Sequence, residues 1–395
     1  MIAAAGSGKT TYLVNRACEL THESILITTY TEMNEAGIRE RIIAKMGYMP
    51  SNVTVQTWFS FLLHHGVRPY QSVLNDSIHN AEIGFYLSED KSGKKYDSSG
   101  KPLVNRDGKP IYWGEGNNLK RHYFTKSLCI YSDKISKFIF KSNKQSKNLI
   151  VERIERIFDN IFIDEIQDLA GYDLELVKLF FKSQSAVLLV GDPRQVTYLT
   201  HHATKFGKYA NGGIKAFVEN ELGKRIECIV DDTTLNVSHR NNQQICNYSA
   251  KLYPELTIPA ACTCQQCRSV TTDHEGVYLV RPGSVDDYLT LYEPMQLRWS
   301  ASSKCSPHFQ SVNFGQSKGL SFDRVLIYPT QKMRNWIKDN KSELKNEVRA
   351  KLYVAITRAR FSVGIVMDYD DGIIEGVKKY EKAFTRPSLF DLSCI

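Results

Sequence analysis

The stretch Ala3-Ala4-Ala5-Gly6-Ser7-Gly8-Lys9-Thr10 constrains the fold of this chain more than any other. A Gly-rich turn of this kind holds phosphate only when a buried strand leads into it, its backbone N–H groups line the bend, and a helix starts directly behind. The turn therefore predicts an α/β sheet at the start of the chain, with the helix running from Thr11 to Leu20. Gly6 and Gly8 permit close backbone approach, Lys9 reaches the β- and γ-phosphates, and Thr10 offers its hydroxyl to Mg2+. Ala3 stands where the general pattern has its first Gly, so a second signal is required. Met1 and Ile2 alone precede the turn, so either this start is internal to a longer natural chain or the sheet tolerates a stub for the entering strand.

That second signal is Ile161-Phe162-Ile163-Asp164-Glu165-Ile166-Gln167-Asp168, an apolar strand that presents adjacent acids at its carboxyl end. Ligands of open α/β sheets sit at that end. Asp164 is expected to hold Mg2+ through water, and Glu165 to orient and deprotonate the water that attacks the γ-phosphate. A further strand ends in Val190-Gly191-Asp192-Pro193-Arg194-Gln195, where the Gln195 amide can contact the γ-phosphate. Three later stretches are rich in Arg, Lys and Gly: 237–240, 316–323 and 353–360. Hydrolysis needs cations on the transferring phosphoryl group, and Arg240 and Arg358 fit that role.

The remaining pattern alternates strand and helix. Ser24 to Thr29 and Val53 to Val55 read as strands, as do Ala186 to Val190, Arg324 to Tyr328 and Phe361 to Met367; Glu32 to Lys45 has helical spacing. Two separated sets of strands predict two α/β lobes with parallel sheets. The first lobe is expected over 1–65 and 157–230, interrupted by a basic, partly helical insertion over 66–156. The second is expected over 231–250 and 312–395, with a reduced insertion over 251–311. Within 88–118, Gly, Pro, Asn and Asp break the pattern and predict an exposed hairpin turning at Asn105 to Gly108. The net charge of +8 is concentrated: Lys91 to Arg156 holds 16 Lys/Arg against 6 Asp/Glu. That segment reads either as a solvated insertion or as a surface that contacts a phosphate backbone. A chain of 395 residues with 42% hydrophobic and 24% charged residues is not disordered, and no apolar run approaches a membrane span. Nine cysteines in such a sequence suggest reduced thiols or metal ligands and a cytoplasmic setting.

Taken in order, these stretches resemble the superfamily 1 helicases of the UvrD/Rep/PcrA type. The similarity spans nearly the whole chain as AAAGSGKTT, LITTYTEMNEAGIRERI, VQTWFSF, FIDEIQD, VGDPRQ, NVSHR, FGQSKGLSFDRV and KLYVAITRAR, matching motifs I to VI with Ia and Ib. The resemblance implies two RecA-like P-loop NTPase lobes. It also implies an ATP- and Mg2+-dependent translocase or helicase moving 3'→5' on single-stranded or tailed duplex DNA. Ala5, Gly6, Ser7, Gly8, Lys9, Thr10, Thr11, His239 and Gly319 would bind nucleotide. Asp164 would join Thr10 at Mg2+, Glu165 and Gln195 would run hydrolysis, and Arg240 and Arg358 would be arginine fingers. Single-stranded DNA would meet Thr29, Tyr30, Thr31, Thr57 and Phe59. Tyr30 reads either as a base-stacking platform or as a core aromatic at a strand end.

Departures from the family shape further expectations. A glutamine-bearing, adenine-reading segment normally precedes motif I, His239 stands where a base-stacking Tyr is usual, and Ser321 replaces an acid near the ribose; together they predict use of several NTPs. Thr200 occupies the place of a base-stacking Trp, for which Tyr198 or His201 can substitute. The shortened 251–311 segment favours translocation over processive unwinding. It leaves open a second reading, a nucleic-acid-sensing NTPase that regulates a partner nuclease or effector, as in antiviral defence. Cys264, Cys267, Cys305 and His308 form two half-sites spaced for tetrahedral Zn2+, set against a reading as scattered reduced cysteines.

Overall fold

The computed structural model describes residues 1–200, 205–223, 226–270 and 272–381. The chain divides into two compact units, Met1–Asn236 and Val237–Ile395. The division falls a few residues beyond the expected boundary at 230/231.

The first unit is built on four parallel strands: β1 (Ile25–Thr29), β2 (Val53–Thr57), β3 (Asn160–Ile163) and β4 (Ala186–Leu189), in the order β2-β1-β3-β4. β1 is buried along its whole length, and its alternate residues enter different cores. Ile25 and Ile27 pack with Leu13, Val14 and Ala17 of α1 (Lys9–Glu19) and with Ile38 and Ile42 of α2 (Glu32–Met46). Leu26 joins Ile161, Ile163, Trp58, Phe138 and Phe180 on the opposite face. Register then fixes where the motifs emerge. Thr29 lies opposite Thr57, and Asp164 N–H donates to Thr28 O, so motifs Ia, Ib and II leave the sheet at one edge.

The stub that enters the phosphate loop is held from both sides. Ile2 bridges Gly191 in parallel, Ala3 N–H donates to Gly191 O at 2.9 Å, and Ala4 N–H donates to Leu235 O at 2.8 Å. Residues 1–4 thus extend the sheet past β4 by borrowing hydrogen bonds from 191 and 235.

Residues 66–156 do not form a separate body. Ile78, Ile83, Tyr123, Phe124, Ile130, Phe138 and Ile150 are buried in the same core as Leu26 and Ile161. The expected turn at Asn105 to Gly108 is present, with Asn105 N–H donating to Lys109 O and Gly108 at φ 74°. It is one of two. Gly100-Lys101-Pro102-Leu103 and Gly108-Lys109-Pro110-Ile111 repeat the same turn chemistry. Between them, Leu103 donates to Lys95, Lys95 to Ile111, and Ile111 to Leu103, closing a small three-stranded meander over 93–113.

The second unit is built on a six-stranded sheet: β5 (Gly276–Val280), β6 (Met295–Arg298), β7 (Ser311–Asn313), β8 (Phe322–Ile327), β9 (Ala359–Val366) and β10 (Lys378–Lys379). Their order is β7-β6-β8-β9-β5-β10 and every pairing is parallel. This corrects the expected insertion over 251–311. β5 is fully buried beside β9, and β6 pairs with β8, so both are internal strands of the lobe itself. Among the described residues no helix is long and apolar enough to cross a membrane.

Candidate active site

α1 starts at Lys9 directly behind Gly8, which adopts φ 82°, while Gly6 adopts φ 71°; both lie in the left-handed region that a side chain would strain. Ser7 Oγ is buried with no hydrogen-bond partner. An orphaned hydroxyl inside a Gly-rich loop is the mark of a polar ligand's seat. Thr10 Oγ1 lies 3.4 Å from Asp164 Oδ2, pairing a hydroxyl and a carboxylate oxygen, the hard donors that suit Mg2+. Asp164 is buried, which pushes its pKa up, and the neighbouring Glu165 carboxylate pushes it further; the Lys9 charge, the Glu165 N–H and the Thr10 hydroxyl oppose the shift. A carboxylate in that position gains from a cation, so the donor set fits a magnesium nucleotide. Thr11, on the exposed face of α1, accepts from Arg41 at 3.1 Å.

Glu165 takes φ 54°, a left-handed backbone unusual for a non-glycine residue and typical of strained functional positions. Gln167 Nε2 donates to Glu165 Oε2, and Gln167 Oε1 accepts from Asp192 N–H at 3.1 Å. Asp192 Oδ2 then accepts from Gln195 Nε2 at 2.7 Å. Glu165 and Gln195, expected independently from two strands, are therefore joined through Gln167 and Asp192, which residue type alone did not single out. The Gln167–Asp192 bond spans 25 positions and exists only once β3 and β4 pair.

Tyr30, half-buried at the end of β1, has its ring centroid 5.7 Å from Phe59 and 5.0 Å from Tyr198. Phe59 lies 5.0 Å from Phe85. The three expected aromatics form one continuous run, extended by a fourth that the sequence did not flag. Burial, with Asp168 and Glu165 nearby, pushes the Tyr198 hydroxyl far above the ordinary tyrosine range. Thr31 and Thr57 cap helices, accepting from Asn34 N–H and Ser60 N–H at 3.2 Å each, and buried Thr29 accepts from Asn34 Nδ2. Thr200 is buried and bonded to Asp173 and Ala170 N–H. His201 lies outside the described residues.

In the second unit, buried Arg358 donates from Nε to Val354 O at 3.1 Å and from Nη1 to Leu320 O at 3.2 Å. Arg240 Nη1 donates to Thr357 O at 3.2 Å, so motifs IV and VI are bonded to each other. Gly319 adopts φ 85° in the turn before β8. The expected Cys264, Cys267, Cys305 and His308 set is not assembled. Cys305 sits against Arg298, 3.3 Å from Nη1, and His308 is exposed. Cys267 instead meets His239, with Sγ 3.5 Å from Nδ1, and Cys262 joins them.

Residues 1–91 and 117–206 match the UvrD/REP helicase N-terminal domain. These segments of the first unit are what the chain shares with the UvrD-like helicases. A probable DNA helicase of Mycoplasma pneumoniae is 22% identical over 422 residues, covering 90% of this chain and 78% of that protein. Among solved structures, the arterivirus nonstructural protein 10 helicase covers 93% of this chain at 14% identity and a TM-score of 0.40. The PRRSV helicase covers 92% at 15% identity and a TM-score of 0.41. The chain spans 59% and 51% of those two proteins.

Within the UvrD-like match, the phosphate loop, the Asp164–Glu165 strand end, the aromatic run and Gln195 all fall inside matched segments. The gap in the match, between 91 and 117, coincides with the 93–113 meander. That element stands outside the matched family domain.

Proposed function

We propose that this UvrD-like chain is an NTP-driven motor that moves 3'→5' along single-stranded DNA. One observation carries the reading: the hydrolytic residues and the aromatic run share the carboxyl edge of one sheet, where Asp168 next to the Glu165 strand end faces Tyr198. Lys9, Thr10 and the loop amides would hold the phosphates and magnesium, which supplies charge neutralisation on the phosphoryl oxygens when bound. Glu165 would orient and accept a proton from the attacking water, while Gln195, held by Asp192, would report the γ-phosphate. Arg240 and Arg358 would add positive charge in the nucleotide-bound state. Bases stacking on Tyr30, Phe59 and Tyr198 would give grip without sequence preference.

The test is NTP hydrolysis with and without single-stranded DNA, for wild type and Lys9→Ala. The motor reading expects hydrolysis stimulated by DNA and abolished by the substitution; turnover indifferent to DNA would sink it. A duplex with a 3' tail, against one with a 5' tail, reads direction and strand separation.

A further inference from the structure

We propose that His239, Cys262, Cys264 and Cys267 form a tetrahedral Zn2+ site that fastens motif IV to the loop behind it. The ligand atoms of His239, Cys262 and Cys267 already lie within 4.8 Å of one another. Cys264 is adjacent, its Sγ 3.3 Å from that of Cys262. Three sulfurs and one imidazole nitrogen are a donor set that zinc prefers and that hard cations do not.

The backbone is shaped for the task. Cys267 and Arg268 both direct their N–H groups to Cys264 O at 3.2 Å, so Cys264-Gln265-Gln266-Cys267 folds into a tight turn that brings its two sulfurs to one side. Zinc with three thiolates carries a net negative charge, and a cation stands beside it: Arg268 donates from Nε to Cys262 O at 2.8 Å and from Nη2 to Asn241 O at 2.7 Å. The turn has little else to hold it. Residues 263–266 are exposed and the adjoining strand pair is only two residues long, Val237–Ser238 against Ala260–Ala261. A segment that buries almost no apolar surface gains its order from a metal.

The site also explains why a histidine stands before Arg240. With Nδ1 turned to Cys267, the His239 ring is a ligand rather than a stacking platform for a base. The metal then fixes residues 239–241, and Asn241 passes that order to motif VI through Nδ2 bonds to Thr357 O at 3.2 Å and Ala359 O at 2.7 Å. Zinc binding stands independently of any role for Arg240 in hydrolysis, since metal content reads it directly.

The full chain, purified without chelator, is expected to hold about one zinc per molecule. Chelator-stripped, reduced protein titrated with Co2+ is expected to show thiolate charge-transfer and the intense ligand-field bands of a tetrahedral site. Cys267→Ser and Cys264→Ser are expected to lose zinc and the charge-transfer intensity, whereas the double variant Cys305→Ser, His308→Ala keeps both. Metal-free wild type with no cobalt bands would overturn the site. So would a Cys262–Cys264 disulfide in freshly isolated protein, or zinc absent from the Cys305/His308 variant and kept in Cys267→Ser.

Discussion

At the scale of single residues, the proposed hydrolytic site depends on a side chain whose position is strained and braced. Glu165 holds φ 54° because Gln167 grips its carboxylate from two residues along, and Gln167 is itself held by Asp192. Glu165→Gln keeps the shape and removes the proposed base. It is expected to lower turnover about 10²- to 10⁴-fold while nucleotide binding persists, measured by steady-state hydrolysis beside fluorescent-nucleotide titration. Binding that falls in parallel with turnover would instead make Glu165 structural. Asp164 and Glu165 were legible in the sequence because two acids after an apolar strand have few other uses. Gln167 and Asp192 were not, since a hydrogen bond between residues 25 positions apart depends on which strands pair.

Elements show the same division. The β1 and β3 apolar runs, the helix behind the phosphate loop and the motif order all announced the first sheet, because short buried strands bounded by turn residues are local signals. The second sheet was only half visible. Gly276–Val280 reads as a strand by composition, yet it follows a cysteine-rich loop within a stretch that looked like an insertion, and its place between β9 and β10 is a long-range fact. Cys262 was passed over for a similar reason, because spacing paired Cys264 and Cys267 with a distant Cys305 and His308. The aromatic run crosses elements too. If bases stack along it, Tyr30→Ala should weaken single-stranded DNA binding by about 1 to 3 kcal/mol, with basal hydrolysis retained, in an anisotropy titration. Unchanged affinity would leave Tyr30 as a packed core aromatic.

One element also sets an acid limit on the second unit. His274, leading into β5, is sandwiched between Tyr278 and Tyr292 with ring centroids 4.0 and 3.8 Å away, and Nε2 lies 2.8 Å from Tyr288 Oη. Burial, then the charges of Arg324 and Lys378, push its pKa down to about 4. The folded form thus binds fewer protons than the unfolded chain between that value and the ordinary histidine value of about 6.5. Stability from this group is complete above the upper value and is lost as pH falls towards the lower, by about 2 kcal/mol once screening by solvent is allowed for. Denaturant melts across that window are expected to show wild type losing that stability relative to His274→Phe as pH falls. Parallel curves would remove His274 as the cause.

For the whole molecule, what matters is where the basic charge goes. Part of the excess in 91–156 is held internally: Lys134 is buried, donating to Ser92 O and His122 O at 2.9 and 2.7 Å, and Lys137 and Lys141 both pair with Glu115. Lys101, Arg106 and Lys109 differ, standing exposed on the two turns of the meander that interrupts the family match. Clustered cations of this kind gain DNA affinity by releasing counterions, which makes them visible in salt dependence. The triple change Lys101→Ala, Arg106→Ala, Lys109→Ala is expected to weaken single-stranded DNA binding equally across sequences. It should also flatten the log K against log salt slope by about 2, near 0.7 for each phosphate no longer neutralised. Basal hydrolysis should not change, because none of the three is near the phosphate loop in sequence or core. A slope identical to wild type would assign the meander to solvent and return the DNA contact to the aromatic run alone.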